Sequence, residues 1–393
     1  MTDPVVISAY ARTPMGGFQG AFSSVSAVQL GATAVKAAVE RSGVDSKAID
    51  RIYMGCVLPA GLGQAPARQA ALGAGLAQSV EATTVNKMCG SGMQATIMAA
   101  EALAAGAVEV VVAGGMESMT NAPYALPKHR GGARIGHDRI IDTMMMDGLE
   151  DAYDAGKPMG AFAQDTANDY AFSREDMDGY ALESLRRAVA AVADGSFADE
   201  IVPVTVTGRG GSSIVSEDEQ PGLAKPAKIP GLKPAFARDG TITAASSASI
   251  SDGAAALVLT RRGVAERLNL TQEAYLVATA SHAQAPALFT TAPVFAIRKV
   301  LDKAGWSVAD VDLFEVNEAF AAVAMIAMRD LDIPRDRINV NGGATALGHP
   351  IGASGARIIA TLIAALKARG KKKGVASLCI GGGEATAVAI EII

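Results

Sequence analysis

Residues 38–55, AVERSGVDSKAIDRIYMG, and residues 300–317, VLDKAGWSVADVDLFEVN, decide the fold because they are two versions of one segment. They align without a gap at an offset of 262. Each reads as a helix end, a glycine (Gly43 or Gly305), a short turn with an Asp, and then a strand. Other pairs keep nearly the same spacing. SGMQATIMAAEALAAG (91–106) matches SGARIIATLIAALKARG (354–370), with Ser91 and Ser354 263 apart. Both lead into strands ending in glycines, VEVVVAGG (108–115) and GVASLCIGGG (374–383). Self-similarity at a fixed spacing marks a repeated structural unit, so the chain reads as two copies of one α/β unit.

The repeated helices say how the copies meet. Segment 93–105 carries one charge, Glu101, and segment 356–366 carries only Arg357. A helix that is apolar nearly all round is a buried one. Two of them predict a helical layer trapped between two sheets, each copy being a mostly parallel sheet covered on both faces. Residues 120–248 break the rhythm with PKHRGGARIGHDR and SEDEQPGLAKPAKIPGLKP, apart from a helix over 173–195 opened by a Ser173/Asp176 capping box. SDGAAALVLT (251–260) then resembles GGEATAVAIEI (382–392), the closing strand of the second copy. The predicted units are therefore 1–119 with 249–271, an insertion over 120–248, and 272–393.

Composition narrows the function. The chain has 393 residues, half of them apolar, 19% charged, with a net charge of −5. A nucleic-acid partner would need a basic excess, and the only cationic block, Lys371 to Lys373, reads as a solvated turn. No apolar run has membrane-spanning length without Gly or charge interruptions. MTDPVVISAYART passes straight into a strand-like run with no cationic leader. Cys56, Cys89 and Cys379 have neither metal-ligand spacing nor a disulfide framework. These features predict a cytoplasmic protein without a metal.

VNKMCGSGMQA (85–95) puts Cys89 just before a Gly-Ser-Gly turn and a buried helix. A free cysteine is more often a packed core thiol than a nucleophile. A helix N-terminus, however, lowers a thiol pKa. The equivalent place in the second copy, GGATALGHPIGASGAR (342–357), carries His349, an imidazole that could complete the activation. Cys379, in SLCIGGGEA, ends a strand and enters a glycine run whose amides could approach a substrate oxygen. In EVNEAFA (315–321), Asn317 and Glu318 follow an apolar strand, at a carboxyl end where α/β sheets place their sites. Cys56, in IYMGCVLPAG, reads as structural.

Together NKMCGSGMQA, GGMESMTNAPY, NEAFA, NGGATALGHPIGASGAR and CIGGGEA resemble the signature blocks of thiolases, in order and spacing over essentially the whole chain. The resemblance implies duplicated halves in five layers, α-β-α-β-α, with an inserted loop domain that binds coenzyme A. It implies reversible Claisen condensation of two acetyl-CoA to acetoacetyl-CoA and CoA, with no further cofactor. Cys89 would carry the acetyl group, His349 would activate it, and Cys379 would serve as the second acid/base. Asn317 would orient a water that forms one oxyanion hole with His349, and the amides of Cys89 and Gly381 would form the other. Leu149, Met159, Phe236, Ala244, Ala319 and Phe320 would line the pantetheine tunnel. The chain departs from the family pattern at KPMG (157–160), where a histidine is usual, and at Ser247 and Ala248, where Ala248 replaces a serine. It also has no arginine near 220, leaving Lys225 or Lys228 to meet the nucleotide. Phe289 stands where many short-chain relatives have methionine, which predicts a short acyl pocket that admits an α-methyl branch. The resemblance further implies a homotetramer, a dimer of dimers. Rival readings are a degradative 3-ketoacyl-CoA thiolase of broader chain length, a ketoacyl synthase, and a non-catalytic acyl-CoA or lipid-binding relative. Cys379 argues against the synthase.

Overall fold

The computed structural model describes residues 3–208 and 210–393. The first copy supplies strands β1 (Val5–Arg12), β2 (Arg51–Gly55), β3 (Glu81–Val85), β4 (Val110–Ser118) and β5 (Ser251–Arg261). The second supplies β6 (Ala274–Ala283), β7 (Leu313–Val316), β8 (Lys373–Ile380) and β9 (Glu384–Ile392). These join into one sheet in the order β7-β8-β9-β6-β1-β5-β4-β2-β3, with Gly16–Gly17 pairing alongside β5. Read outward from the β1/β6 junction, both halves run the same way. β1-β5-β4-β2-β3 is answered by β6-β9-β8-β7, and a bridge from Phe314 to Ile338 stands where the fifth strand would be.

The 38–55 and 300–317 segments adopt one shape. Helix α1 (Ala27–Ser42) ends on Gly43 at φ 76, and the later helix Ala292–Ala304 ends on Gly305 at φ 69. Each left-handed cap is followed by a single 3-10 turn and then by β2 or β7. Glycine is favoured at such caps because it has no Cβ to clash there.

The expectation of mostly parallel sheets is corrected. Only β2/β3, β2/β4 and β7/β8 run parallel, whereas β5 and β9 lie antiparallel to both their neighbours. The three glycines 381–383 turn β8 directly into β9, and a tight turn can only join antiparallel strands. β5 takes the equivalent place in the first half after the insertion.

Two further helices fill the centre: α2 (Ser91–Ala104), and a later one over Ser354–Ala368. Both touch strands from each half and each other. With α1 outside the first half and Ala292–Ala304 outside the second, the layers alternate α-β-α-β-α. Residues 354–366 are buried without exception, including Arg357. Residues 120–248 add two long helices, α3 (Met159–Asp169) and α4 (Arg174–Ala193), and a short one over Glu219–Leu223; the long ones precede in the chain α5 (Ala292–Ala304), α6 (Ala321–Leu331) and α7 (Ser354–Ala368). Ser173 and Asp176 form the reciprocal capping box at the start of α4. Among the described residues the insertion gives no strand to the large sheet and holds only two small hairpins.

The crossing of α2 and α7 is a backbone-to-backbone contact. A Cβ on Gly92 would lie 2.9 Å from the Ala356 nitrogen, and one on Gly355 would lie 2.3 Å from the Met93 nitrogen. Neither neighbour is a flexible tip that can swing aside. Overpacking of a tight core costs about 1–3 kcal/mol, so Gly355→Ala should lower the thermal unfolding midpoint by several degrees. An unchanged midpoint would show that the crossing has slack.

Candidate active site

The turn before α2 is built to present one side chain. Met88 sits at φ 46, a left-handed conformation that costs a non-glycine residue energy and persists only when neighbours enforce it. Ser91 Oγ donates to the Met88 carbonyl at 2.6 Å and accepts from the Lys87 amide at 2.8 Å, while the Met88 amide donates to Asn86 Oδ1 at 3.0 Å. The next residue, Cys89, projects into a cavity of about 320 Å³ between the two halves and the insertion. The amides of Cys89 and Gly381 both point at the Cys89 sulfur.

The second half answers from the far wall. His349 and Cys379, the latter one residue from the end of β8, line the same cavity. His349 Nδ1 lies 2.6 Å from Ser354 Oγ, which also reaches the Pro350 carbonyl at 3.0 Å. A hydroxyl has one hydrogen. With it given to Pro350, Oγ accepts from Nδ1–H, and Nε2 keeps the lone pair that a base needs. Asn317 lies behind the ring, its Nδ2 3.4 and 3.5 Å from the two ring nitrogens, and it is buried beneath the cavity surface.

Glu117, at the end of β4, holds the two halves in register here. Its buried carboxylate accepts from the amides of Val57, Leu58 and Gly352, and Cys56 Sγ lies 3.6 Å away. Desolvation outweighs those bonds and pushes its pKa up to about 7. Cys56 is a fully buried thiol packed against this carboxylate.

Leu149, Met159, Phe236, Ser247, Ala248, Phe289, Ala319 and Phe320 line the cavity with Cys89, His349, Cys379 and Gly381. Ala244 does not. It lies in a neighbouring groove of about 360 Å³ that shares Ser247 and Ser249 with the cavity and carries Lys225 and Lys228. The chain there turns at Thr243, whose amide is tied to Ser246 Oγ, so Ala244 faces the groove four residues before Ala248 faces the cavity. Residues 246–248 pair with the NEAF block, Ala248 N donating to the Ala319 carbonyl and Ala321 N to that of Ser246. Phe320 stands edge-on to Phe236 and Phe289 at centroid distances of 5.8 and 6.4 Å. At the KPMG departure Pro158 lines the cavity, while Lys157 turns away to Asp165 at 3.1 Å.

Sequence reading missed Met88, Met119, Met145, Gly148 and Ile351 in the lining. Met145 and Gly148 belong to a π-helical turn, Met145–Leu149, and such turns are frequent at functional sites but have no simple sequence pattern. Among the described residues no group of three or more His, Cys, Asp or Glu could hold a metal ion, and no helix is long and apolar enough to cross a membrane.

The electrostatics correct one expectation. Cys89 was expected to have a lowered pKa at the helix start. Burial wins over the two amides and pushes the thiol up to about 11. Burial, with Cys89 close by, raises Cys379 as well. Burial and then the Arg357 charge depress His349 to about 3. Burial thus disfavours the charged form of both the Cys89 thiol and the His349 imidazole.

This arrangement gathers what acyl transfer through a thiol would need: a cysteine, an imidazole and a second thiol around one apolar cavity. Residues 5–263 match the family described as "Thiolase, N-terminal domain", and residues 270–392 match "Thiolase, C-terminal domain". The chain is 49% identical to acetyl-CoA acetyltransferase 2 of Arabidopsis thaliana, over 99% of this chain and 97% of that protein. It is 48% identical to the acetyl-CoA acetyltransferase of Escherichia coli, over 100% and 99%. The crystal structure of the Bacillus anthracis acetyl-CoA acetyltransferase superposes with a TM-score of 0.97 at 41% identity, covering 100% of this chain and 99% of that one. The chain belongs to the thiolase family, and it is an enzyme.

A thiol with a pKa near 11 is protonated at neutral pH, and its thiolate fraction grows about tenfold per pH unit below that value. Alkylation of Cys89 by iodoacetamide, followed by mass spectrometry of its peptide, should therefore keep accelerating from pH 7 to 9. A plateau below pH 8 would mean a preformed ion pair.

Proposed function

We propose that this thiolase is an acetyl-CoA acetyltransferase, joining two acetyl-CoA into acetoacetyl-CoA and free CoA or running the reverse. The observation that carries the reading is the meeting of Cys89, His349 and Cys379 on one apolar cavity, with two amides aimed at the Cys89 sulfur. Cys89 Sγ attacks the thioester carbonyl while His349 Nε2 takes the thiol proton and returns it to the departing CoA sulfur. The oxygen that gains charge moves into the reach of the Cys89 and Gly381 amides. Removing one such donor typically costs on the order of 10²–10³ in rate. Coupling proton transfer to attack suits a thiol and an imidazole that are both neutral at rest.

In the second half Cys379 gives its proton to the neutral His349 and, as thiolate, removes an α-proton from another acetyl-CoA. The enolate carbon bonds to the acetyl carbon, the carbon–sulfur bond to Cys89 breaks, and His349 returns its proton to the Cys89 sulfur. A thiolate of raised pKa is the stronger base, which is what a carbon acid requires. The oxyanion of this step would meet His349 and a water held by Asn317. The adjoining groove with Lys225 and Lys228 offers the positive charge that the nucleotide end of CoA needs. Acetyl-CoA, acetoacetyl-CoA and CoA are the small-molecule partners of this reading, which further places the protein in the cytoplasm as a homotetramer serving fatty acid metabolism.

Two tests follow from the separation of roles. Acetyl-CoA alone should acetylate Cys89, and Cys379→Ser should still accept that acetyl group while turning over at least about 10²-fold more slowly, in the range of lost acid/base catalysis. Acetyl found on Cys379 instead, or near-normal thiolysis by Cys379→Ser, would reverse the assignment.

Chain length is set by the Phe289 wall of the cavity. Phe289 is only 3% exposed and is braced by Phe320, and its ring cannot fold aside as a methionine does. One methylene is worth roughly 1–3 kcal/mol in an apolar pocket. Thiolysis should therefore fall more than about tenfold per added pair of carbons beyond six-carbon 3-ketoacyl-CoA, while the 2-methyl four-carbon substrate is still cleaved. Comparable kcat/KM for four- and ten-carbon substrates would favour the degradative thiolase.

A further inference from the structure

A carboxamide looks the same to the shape of its pocket in either orientation, so its hydrogen-bond partners decide which end faces where. For Asn317 this choice matters, because an oxyanion needs the NH2 end. Its Oδ1 accepts from Arg357 Nη2 at 3.2 Å, and its Nδ2 is thereby turned to the His349 ring. A guanidinium can only donate. An Arg at that position accepts one orientation of the amide and rejects the other.

Arg357 does little else by hydrogen bonding. It is 1% exposed, on the first turn of α7, with Nη1 3.6 Å from Glu315 Oε2, beyond hydrogen-bond length. Nε and Nη1 have no hydrogen-bond partner among the described residues, and neither does Glu315 Oε1. Burying a guanidinium is costly unless its neighbours compensate, yet its one directional bond goes to Asn317. A chain of buried charge reaches the same helix from the rest of the molecule. Arg12, on β1, bonds Glu200 at 2.7 Å and Asp218 at 2.7 and 2.8 Å, both from the insertion. Glu200 Oε1 also accepts from Thr361 Oγ1, one turn along α7 from Arg357, at 3.3 Å.

We propose that Arg357 is a positioning residue of this site: its guanidinium selects the orientation of the Asn317 carboxamide, so that the NH2 end and not the oxygen is presented to His349 and the reacting oxygen. It touches neither substrate nor reacting atoms: its charge helps hold the His349 pKa down, which Arg357→Lys retains, and its directional effect passes through Asn317. The inference rests on the thiolase reading of Asn317 as the group that holds the oxyanion water.

A double-mutant cycle separates this role from mere support of the fold. Thiolysis of acetoacetyl-CoA is measured for the wild type, Arg357→Met, Asn317→Ala and the double variant. Loss of an oxyanion donor costs about 10²–10³ in rate, so Arg357→Met should lower kcat at least about tenfold, with KM within about twofold. In the Asn317→Ala background the same change should cost less than about twofold. Arg357→Lys keeps the charge but not the fork. It should lose kcat in the same background-dependent way, and it decides the question if Arg357→Met does not fold. Equal losses in both backgrounds, with normal turnover by the wild type, would overturn the proposal and make Arg357 structural. A wild type without thiolysis would instead overturn the thiolase reading on which the proposal rests.

Discussion

Two helices crossing at a pair of glycines hold the rest of the molecule in place. At Gly92 and Gly355 the backbones of α2 and α7 approach so closely that a single methyl on either would strike the other's main chain. This contact fixes how far apart the two halves stand. Each half brings its functional groups to the N-terminal end of its own central helix, Cys89 just before α2 and His349 just before α7. The helix crossing therefore brings Cys89 and His349 onto one cavity. Cys379 and Gly381, at the end of β8, reach the same place because β8 packs on α7.

Burial is the second consequence, and it acts on chemistry. Desolvation makes the charged form of every titratable group costly, so both thiols rise and the imidazole falls. Burial therefore works against a separated charge pair at rest. In the proposed reaction charge develops only as substrate arrives, and the amides of Cys89 and Gly381 and the Asn317 carboxamide would already be in position to meet it. Preorganised donors of this kind need no rearrangement at the moment of reaction.

Much of this was legible from residue order. The repeat at an offset of 262 placed the halves and the middle helices, because a duplicated unit repeats its caps and strands as well as its apolar pattern. The signature blocks pointed to Cys89, His349, Cys379 and Asn317 together. Strand direction was misjudged, because an apolar strand reads the same in either direction and only the three-glycine turn after Cys379 indicated a hairpin. The thiol pKa was also misjudged, since a helix end is visible in a sequence while the depth of a cavity is not. Glu117 acts through partners distant in the chain, so no local pattern marks it, and the π-helical turn has no simple sequence pattern. Arg357 did carry a signal, as the lone charge in an otherwise apolar buried stretch, but its partner Asn317 lies 40 residues away.

In the proposed reaction one oxyanion site is assembled from both halves, the Cys89 amide from the first and the Gly381 amide from the second. The most direct measurement is a crystal structure of the enzyme trapped with acetyl on Cys89. The acetyl oxygen should lie about 2.7–3.1 Å from both amide nitrogens, the distance such donors require. An acetyl oxygen turned away from Gly381, with only one half contributing a donor, would contradict it.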